Sequence, residues 1–274
     1  MTLELLSSGY GLIEGPRWSV DGGLYFSDVH HGGVFRLAAD GTVSTVVPKR
    51  RGVGGIVFHA DGGIVMSGRD ICHHRDGVNR TVYADATVPG FNDLTTDAEG
   101  RLYIGTMRSN PFATDGERTF GECLRVDGEG SATQLYGGVS LTNGMGVSPD
   151  GRWLYHADTA NHLVRRWALD GSQAEPEVHV HFGSGLPDGL AVDAAGALWV
   201  AMVSAGTVQQ VRPDGTLGTT IEVPSRMVTS CAFGGDGLAD LYIVTGSGSS
   251  SGHDGAIYRT RVDAVGLPVP LCRV

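Results

Sequence analysis

The sequence predicts an all-β protein: a six-bladed β-propeller of four-stranded blades, filling residues 1–274 as one domain. Three observations predict it. Glycine is in excess at 43 of 274 residues, more than twice the roughly 7% of an average chain. An Asp/Gly turn followed by a short apolar run returns six times. The spacing of these returns leaves room for a second hairpin in each, so the repeating unit is two hairpins, or four strands.

In chain order the turns open "DGGLYFSD" at Asp21, "DGGIVMSGRD" at Asp61, "DAEGRLYIGTM" at Asp97, "DGRWLYHAD" at Asp150, "DAAGALWVAM" at Asp193 and "DGLADLYIVTG" at Asp236. Successive starts lie 40, 36, 53, 43 and 43 residues apart. An apolar run also precedes most of them, as in "GIVFHADG", "GMGVSPDG" and "GLAVDAAG", so each turn joins two strands. Second hairpins are expected in "VFRLAADGTVSTVV", "CLRVDGEGSATQLY", "VQQVRPDGTLGTTIEV" and "IYRTRVDAVGLPVPLCRV". A sandwich or barrel would repeat its turns, but not a whole two-hairpin unit. Helices are hard to place anywhere in the chain.

Composition removes several function classes. The formal net charge is −10, from 20 basic and 30 acidic residues, which disfavours nucleic acid and anionic membrane as partners. Lys49-Arg50-Arg51 reads as a solvated loop. The start, "MTLELLSSGYGLIEGPRW", has no basic n-region and no long apolar core, so no secretory signal is expected. No window approaches the roughly 18 apolar residues of a membrane helix. Cys72, Cys123, Cys231 and Cys272 are far apart without a CxxC pairing, which argues against a zinc knuckle or a disulfide framework. Reduced, buried thiols in a cytoplasmic protein are the expectation.

A propeller binds ligands in and around its central channel, so the residues entering each blade carry the functional question. "GLIEGPRW" has Glu14, "GFNDLTTD" has Asn92 and Asp93, "LTNGMGVSPD" has Asn143, and "LPDGLAVD" has Asp188. Each alone reads as a turn or cap residue. Their recurrence at equivalent places of successive blades would bring them to one end of a shared axis. Two carboxylates in a partly dry channel repel each other and lose hydration, and a divalent cation removes that conflict. Oxygen donors without Cys or His favour a hard ion such as Ca²⁺, Mg²⁺ or Mn²⁺, with Zn²⁺ and Fe²⁺ left open. In this reading Asn143 supplies a neutral amide oxygen, and Gly144 lets the backbone turn sharply beside it.

The stretches "EGPRW", "FNDLTTDAEGRLYIGTM", "LTNGMGVSPDGRWLYHADT", "LPDGLAVDAAGALWVAM" and "TSCAFGG" together resemble the senescence marker protein/gluconolactonase family, the regucalcin-like lactonases, over nearly the whole chain. The resemblance implies a six-bladed propeller with one divalent metal near its centre, held by Glu14, Asn143 and Asp188. It further implies that Asp188 acts as base toward water and that Asn92 borders the metal and helps bind substrate. The reaction it implies is hydrolysis of a lactone, often of a sugar acid. Two departures bear on the substrate. Several sugar-lactone members have an arginine just before "FND", where this chain has Gly90. Beyond "GTM", where some members have a substrate-binding glutamate, this chain reads "RSNPF" with Asn110.

The expected function is therefore metal-dependent opening of a small lactone of a sugar acid or related hydroxy acid, with the ion as Lewis acid and Asp188 holding water. The leaving-group proton donor is not identified. Other metal-dependent chemistry on the same scaffold, phosphotriester hydrolysis or cyclisation, stays open, as does a non-enzymatic Ca²⁺-binding regulatory role. Arg108 and Asn110 leave the third blade's inner strand and are candidates to line the pocket. His30 and His31 follow Asp28 where the first blade's inner strand is expected to end, as loop histidines or substrate contacts. His73-His74 reads as another turn, and His156 and Asp158 as structural hydrogen-bonders. A nucleophilic serine is not expected, because no G-x-S-x-G elbow in strand-to-helix context is present, and "GSGSSSGHDG" reads as a polar loop.

Overall fold

The computed structural model describes residues 2–108, 119–128, 130–249 and 251–274. Strand β1 (Glu4–Tyr10) opens the chain and is placed last, because its partner is the final strand. The first sheet holds β2 (Ile13–Ser19), β3 (Gly23–Asp28), β4 (Val34–Ala38) and β5 (Val43–Val47) side by side in chain order. The second holds β6 (Ile56–Phe58), β7 (Ile64–Met66), β8 (Ile71–Arg75) and β9 (Val78–Tyr83). The third holds β10 (Gly90–Thr96), β11 (Leu102–Met107), β12 (Gly121–Gly128) and β13 (Ser131–Val139). The fourth holds β14 (Thr142–Val147), β15 (Trp153–Asp158), β16 (Leu163–Ala168) and β17 (Glu177–His181). The fifth holds β18 (Leu186–Val192), β19 (Leu198–Val203), β20 (Thr207–Val211) and β21 (Leu217–Glu222).

The sixth sheet is built differently. It runs β22 (Val228–Gly234), β23 (Asp240–Thr245), β24 (Gly255–Arg261) and then β1, so the N-terminal strand supplies the outermost position. Arg259 Nη2 donates to Glu4 Oε2 at 2.6 Å across this seam. The second hairpin expected in "IYRTRVDAVGLPVPLCRV" is therefore replaced by a pairing between the two ends of the chain. Pro268 and Pro270 explain part of the difference, since neither has an N–H to give a ladder. The segment instead crosses the end of the ring where the inner strands finish. Leu267 N donates to Val192 O at 3.0 Å, Cys272 N to Phe58 O at 2.8 Å and Arg273 N to Gly100 O at 2.9 Å, reaching the fifth, second and third sheets.

The Asp/Gly turns act as the sequence suggests. At the turn after β18, Asp193 Oδ1 accepts from Ala195 N at 3.0 Å and Ala197 N at 2.8 Å. Its Oδ2 accepts from Trp199 Nε1 at 3.1 Å. Asp97 does the same work after β10, accepting from Glu99 N, Arg101 N and Tyr103 Oη. These aspartates are the buried anchors of the repeat.

Six buried apolar clusters hold the sheets together, and each straddles two neighbours around the ring. Phe91, Leu94 and Ile104 meet Val57 and Val65, for example, while Trp199 and Val208 meet Phe233 and Ile243. The innermost strands are therefore covered on both faces: every residue of β22 is buried, whereas β5 at the rim is exposed at Val43, Ser44 and Thr45. Only short 3₁₀ turns, Thr159–Asn161 and Asp236–Leu238, interrupt the strands among the described residues.

Candidate active site

The polar residues singled out in the sequence sit where the innermost strands lose register. The pairing slips between Glu14 and Arg17 in β2, Phe91 and Leu94 in β10, Thr142 and Met145 in β14, and Pro187 and Leu190 in β18. Such a bulge leaves residues out of the ladder and re-aims their side chains. Glu14 borders the first slip, and Asn92-Asp93, Asn143-Gly144 and Asp188-Gly189 lie inside the others. The second sheet contributes space in place of a side chain. A Cβ on Gly54 would collide with Asn92 Oδ1, and one on Gly55 would stand 2.6 Å from Asp93 Oδ1.

Gly144 does not make a sharp turn. It is absent from the glycines of positive φ, so a left-handed backbone is not its purpose. A Cβ there would lie 2.5 Å from both Asp188 O and Leu190 N. The next blade's backbone fills the place of a side chain, and that close approach brings Asn143 and Asp188 together.

Hydrogen bonds fix the amides. Asn92 Nδ2 donates to Asn143 Oδ1 at 2.8 Å and to Thr142 O at 2.7 Å. Asn143 Nδ2 donates to Thr159 Oγ1 at 3.0 Å, and that hydroxyl donates to Pro187 O at 2.7 Å. Asn143 Oδ1 thus keeps one lone pair free, while Asn92 has only its own oxygen left to offer. Thr159 was not foreseen, since a threonine after a strand carries no distinguishing pattern.

The electrostatics are those of an unneutralised site. Burial pushes the Glu14 carboxyl well above the usual range, and the charges of Asp188 and Asp93 push it further. Burial does the same to Asp188, with Asp93 adding to it. Asp188 Oδ1 is buried without a hydrogen-bond partner. Asp93 is raised to about 6 by burial, opposed by Arg17 and by the N–H groups of Leu94 and Met145. Burial in turn lowers Arg17, with Asp93 opposing. With all three carboxyls ionised beside the guanidinium, two negative charges would be unmatched, the charge of one divalent cation. Among the described residues no three His, Cys, Asp or Glu side chains converge as a metal-binding group; a cation here would need a neutral third donor, for which the Asn143 amide oxygen is a candidate. With that amide, the donor set fits a hard, oxygen-preferring ion.

The remaining candidates lie further out. His30 stands in the turn after β3, which is the second strand of its sheet and not the innermost as expected. Its Nδ1 is buried and unpartnered. His31 Nδ1 pairs with Asp28 at 3.0 Å and its ring stacks on His253 at 4.5 Å. Arg108 follows β11, also a second strand. Its Nε reaches both oxygens of Glu122 at 3.0 Å and its Nη1 reaches Thr87 Oγ1 at 3.2 Å. Asn110 lies outside the described residues. His73 and His74 do not form a turn: both belong to β8, and His73 Nε2 bonds Gly62 O at 2.8 Å. Arg50 is held more firmly than a solvated loop would require, with Nη2 on Asp70 Oδ1 at 2.5 Å. A cavity of about 1570 Å³ lies at the opposite, tail-crossed end of the ring. Arg17 lines it, but Glu14, Asn143 and Asp188 do not.

His156 and Asp158 are engaged in hydrogen bonding. Asp158 accepts from Ser140, Asn161 and Arg165, and His156 Nδ1 lies 2.9 Å from Tyr136 Oη. Burial pushes the His156 imidazole down to about 4. Below the unfolded value of about 6.5 the unfolded chain takes up a proton that the folded chain refuses, so stability falls between pH 6.5 and 4. The full effect is about 3 kcal/mol. Urea unfolding of the parent and of His156→Gln at pH 7 and 4.5 measures it. The variant is expected to lose less stability over that interval, and equal losses would refute the assignment.

A family model described as SMP-30/Gluconolactonase/LRE-like region matches residues 12–247. A 6-deoxy-6-sulfogluconolactonase of Pseudomonas putida is 34% identical over 95% of this chain and 94% of that protein. A pentonolactonase of Haloferax volcanii is 33% identical over 94% of this chain and 93% of that protein. The crystal structure of a calcium-binding regucalcin from Agrobacterium tumefaciens superposes with a TM-score of 0.85, covering 98% of this chain and 97% of that one at 22% identity, a likeness of fold.

Proposed function

The chain belongs to the SMP-30/gluconolactonase/LRE-like family, and from that premise we propose that it is a metal-dependent lactonase opening a small sugar-acid lactone. Both relatives at or above 33% identity carry lactonase names, which supports the reaction class. The observation that carries the cation is the buried, unpartnered Asp188 Oδ1, whose carboxylate acts electrostatically on Glu14.

Glu14, Asn143 and Asp188 would hold the ion. A divalent cation there supplies a Lewis acid for the lactone carbonyl. Asp188 also orients the attacking water, its unpartnered oxygen being the acceptor the water proton needs. As the water oxygen bonds to the carbonyl carbon, the ring C–O bond breaks and the proton passes to the ring oxygen, giving the open hydroxy acid. Asn92 has spent both N–H groups on Thr142 and Asn143, so it serves substrate through its carbonyl oxygen, which receives a hydroxyl. Arg108, clamped by Glu122, and His30 are further substrate contacts in this reading.

A pH-indicator assay over a panel of sugar lactones, with and without a chelator, tests the reading. Acid release is expected on at least one aldonolactone and is expected to stop when the cation is removed. Silence on all lactones alongside phosphotriester turnover would move the site to the other chemistry of this scaffold. Calcium binding without any hydrolysis would make the chain a binding protein.

A further inference from the structure

Asp93 stands among the proposed ligands with both oxygens already engaged. Oδ1 accepts from Leu94 N at 2.7 Å, and Oδ2 accepts from Met145 N at 3.3 Å. The second bond crosses from β10 to β14 and ends two residues past Asn143, on the far side of the bulge that carries it. Asp93 is only 8% exposed. The half-buried Arg17 opposes its charge through space, without an ion-pair contact between them, while its Nε donates to Ile56 O at 2.8 Å. Gly55 leaves the carboxylate its space.

Resting on the cation reading above, we infer that Asp93 is a positioning residue: it ties down the Asn143 bulge and, balanced by Arg17, sets the channel charge that a divalent ion matches. With Glu14, Asp188, Asp93 and Arg17 all charged, the balance is two negative charges. Removing the Asp93 charge leaves one, which suits a divalent ion poorly. Removing the Arg17 charge leaves three, which attracts it more strongly. Removing both returns the balance to two. A purely structural role predicts something else, because two disruptions of the packing behind the site would both weaken the ion, and the double variant would be no better than either.

The test is calorimetric titration of the chelator-stripped, full-length protein with CaCl₂ and with MnCl₂. Asp93→Asn keeps the side-chain size and an oxygen for Met145 N. It is expected to weaken both ions about 10–100-fold, the usual consequence of altering a group behind the ligands. Arg17→Met is expected to bind them more tightly than the parent. The double variant, in which both charges are removed and the balance returns to two, is expected to recover most of the affinity lost in Asp93→Asn. If Asp93→Asn does not fold, Arg17→Met and the double variant decide the matter. Affinity in Asp93→Asn within twofold of the parent overturns the inference, as does weakening in Arg17→Met or a double variant with no recovery. A parent that binds neither ion removes the cation reading itself, and a parent that binds while the variants fail this pattern removes only the role of Asp93.

Discussion

Asp188→Ala is expected to abolish lactone turnover and to strip the protein of its cation. In the proposed reading the side chain carries two burdens: its carboxylate neutralises part of the ion and accepts the water proton. Losing the proton acceptor alone costs about 10²–10⁴ in rate, and losing a ligand adds to that. Asp188→Asn separates the two burdens, because the amide keeps an oxygen donor while being unable to take a proton. It is expected to retain some cation and remain slow. Elemental analysis and kcat/KM on the same lactone measure both. An Asp188→Ala protein that kept its metal and a near-normal rate would sink the assignment.

Gly144→Val is expected to give the largest loss of stability of any single change at the site. The atoms that a Cβ would meet at 2.5 Å, Asp188 O and Leu190 N, are backbone and cannot swing aside. The fourth and fifth blades would have to part where they carry Asn143 and Asp188. Overpacking of this kind costs about 3 kcal/mol or more, a fall in Tm of roughly 10 °C for a chain of this size. Cation affinity is expected to fall with it. Gly183→Ala is the control, because nothing lies within 4 Å of its added carbon and its φ is not positive. Thermal unfolding of the two variants decides: equal Tm values would show that the blades do not need this close approach.

Asn143-Gly144 shows where reading along the chain stops. Asn-Gly is a turn dipeptide, and the amide was rightly picked out as polar at a blade entrance. The role of its glycine was not visible, because the atoms that fill its space come from Asp188 to Leu190, more than forty residues on. Arg17 and Asp93 pose the same difficulty. Each stands in a motif with several candidates, and only the fold brings the Asp93 carboxylate within reach of the Arg17 charge. His73-His74 failed for a more local reason, since the Asp76-Gly77 turn that follows was extended back over a strand.

The closure of the ring was also beyond the sequence. "ELLSSGY" can pair with any edge, and nothing in it names β24, while the apolar C-terminal segment looked like a hairpin until its prolines and its crossing were seen. What the chain determines unaided is set by interactions a few residues long: Asp/Gly turns that join the strands, alternation that makes strands, and oxygen-bearing residues in place of histidine and cysteine. What the tertiary structure decided is which of these meet. Ring closure and the approach of the blade entrances that carry Asn143 and Asp188 depend on contacts between residues far apart in the chain, whose partners are chosen by packing of whole blades rather than by any local preference.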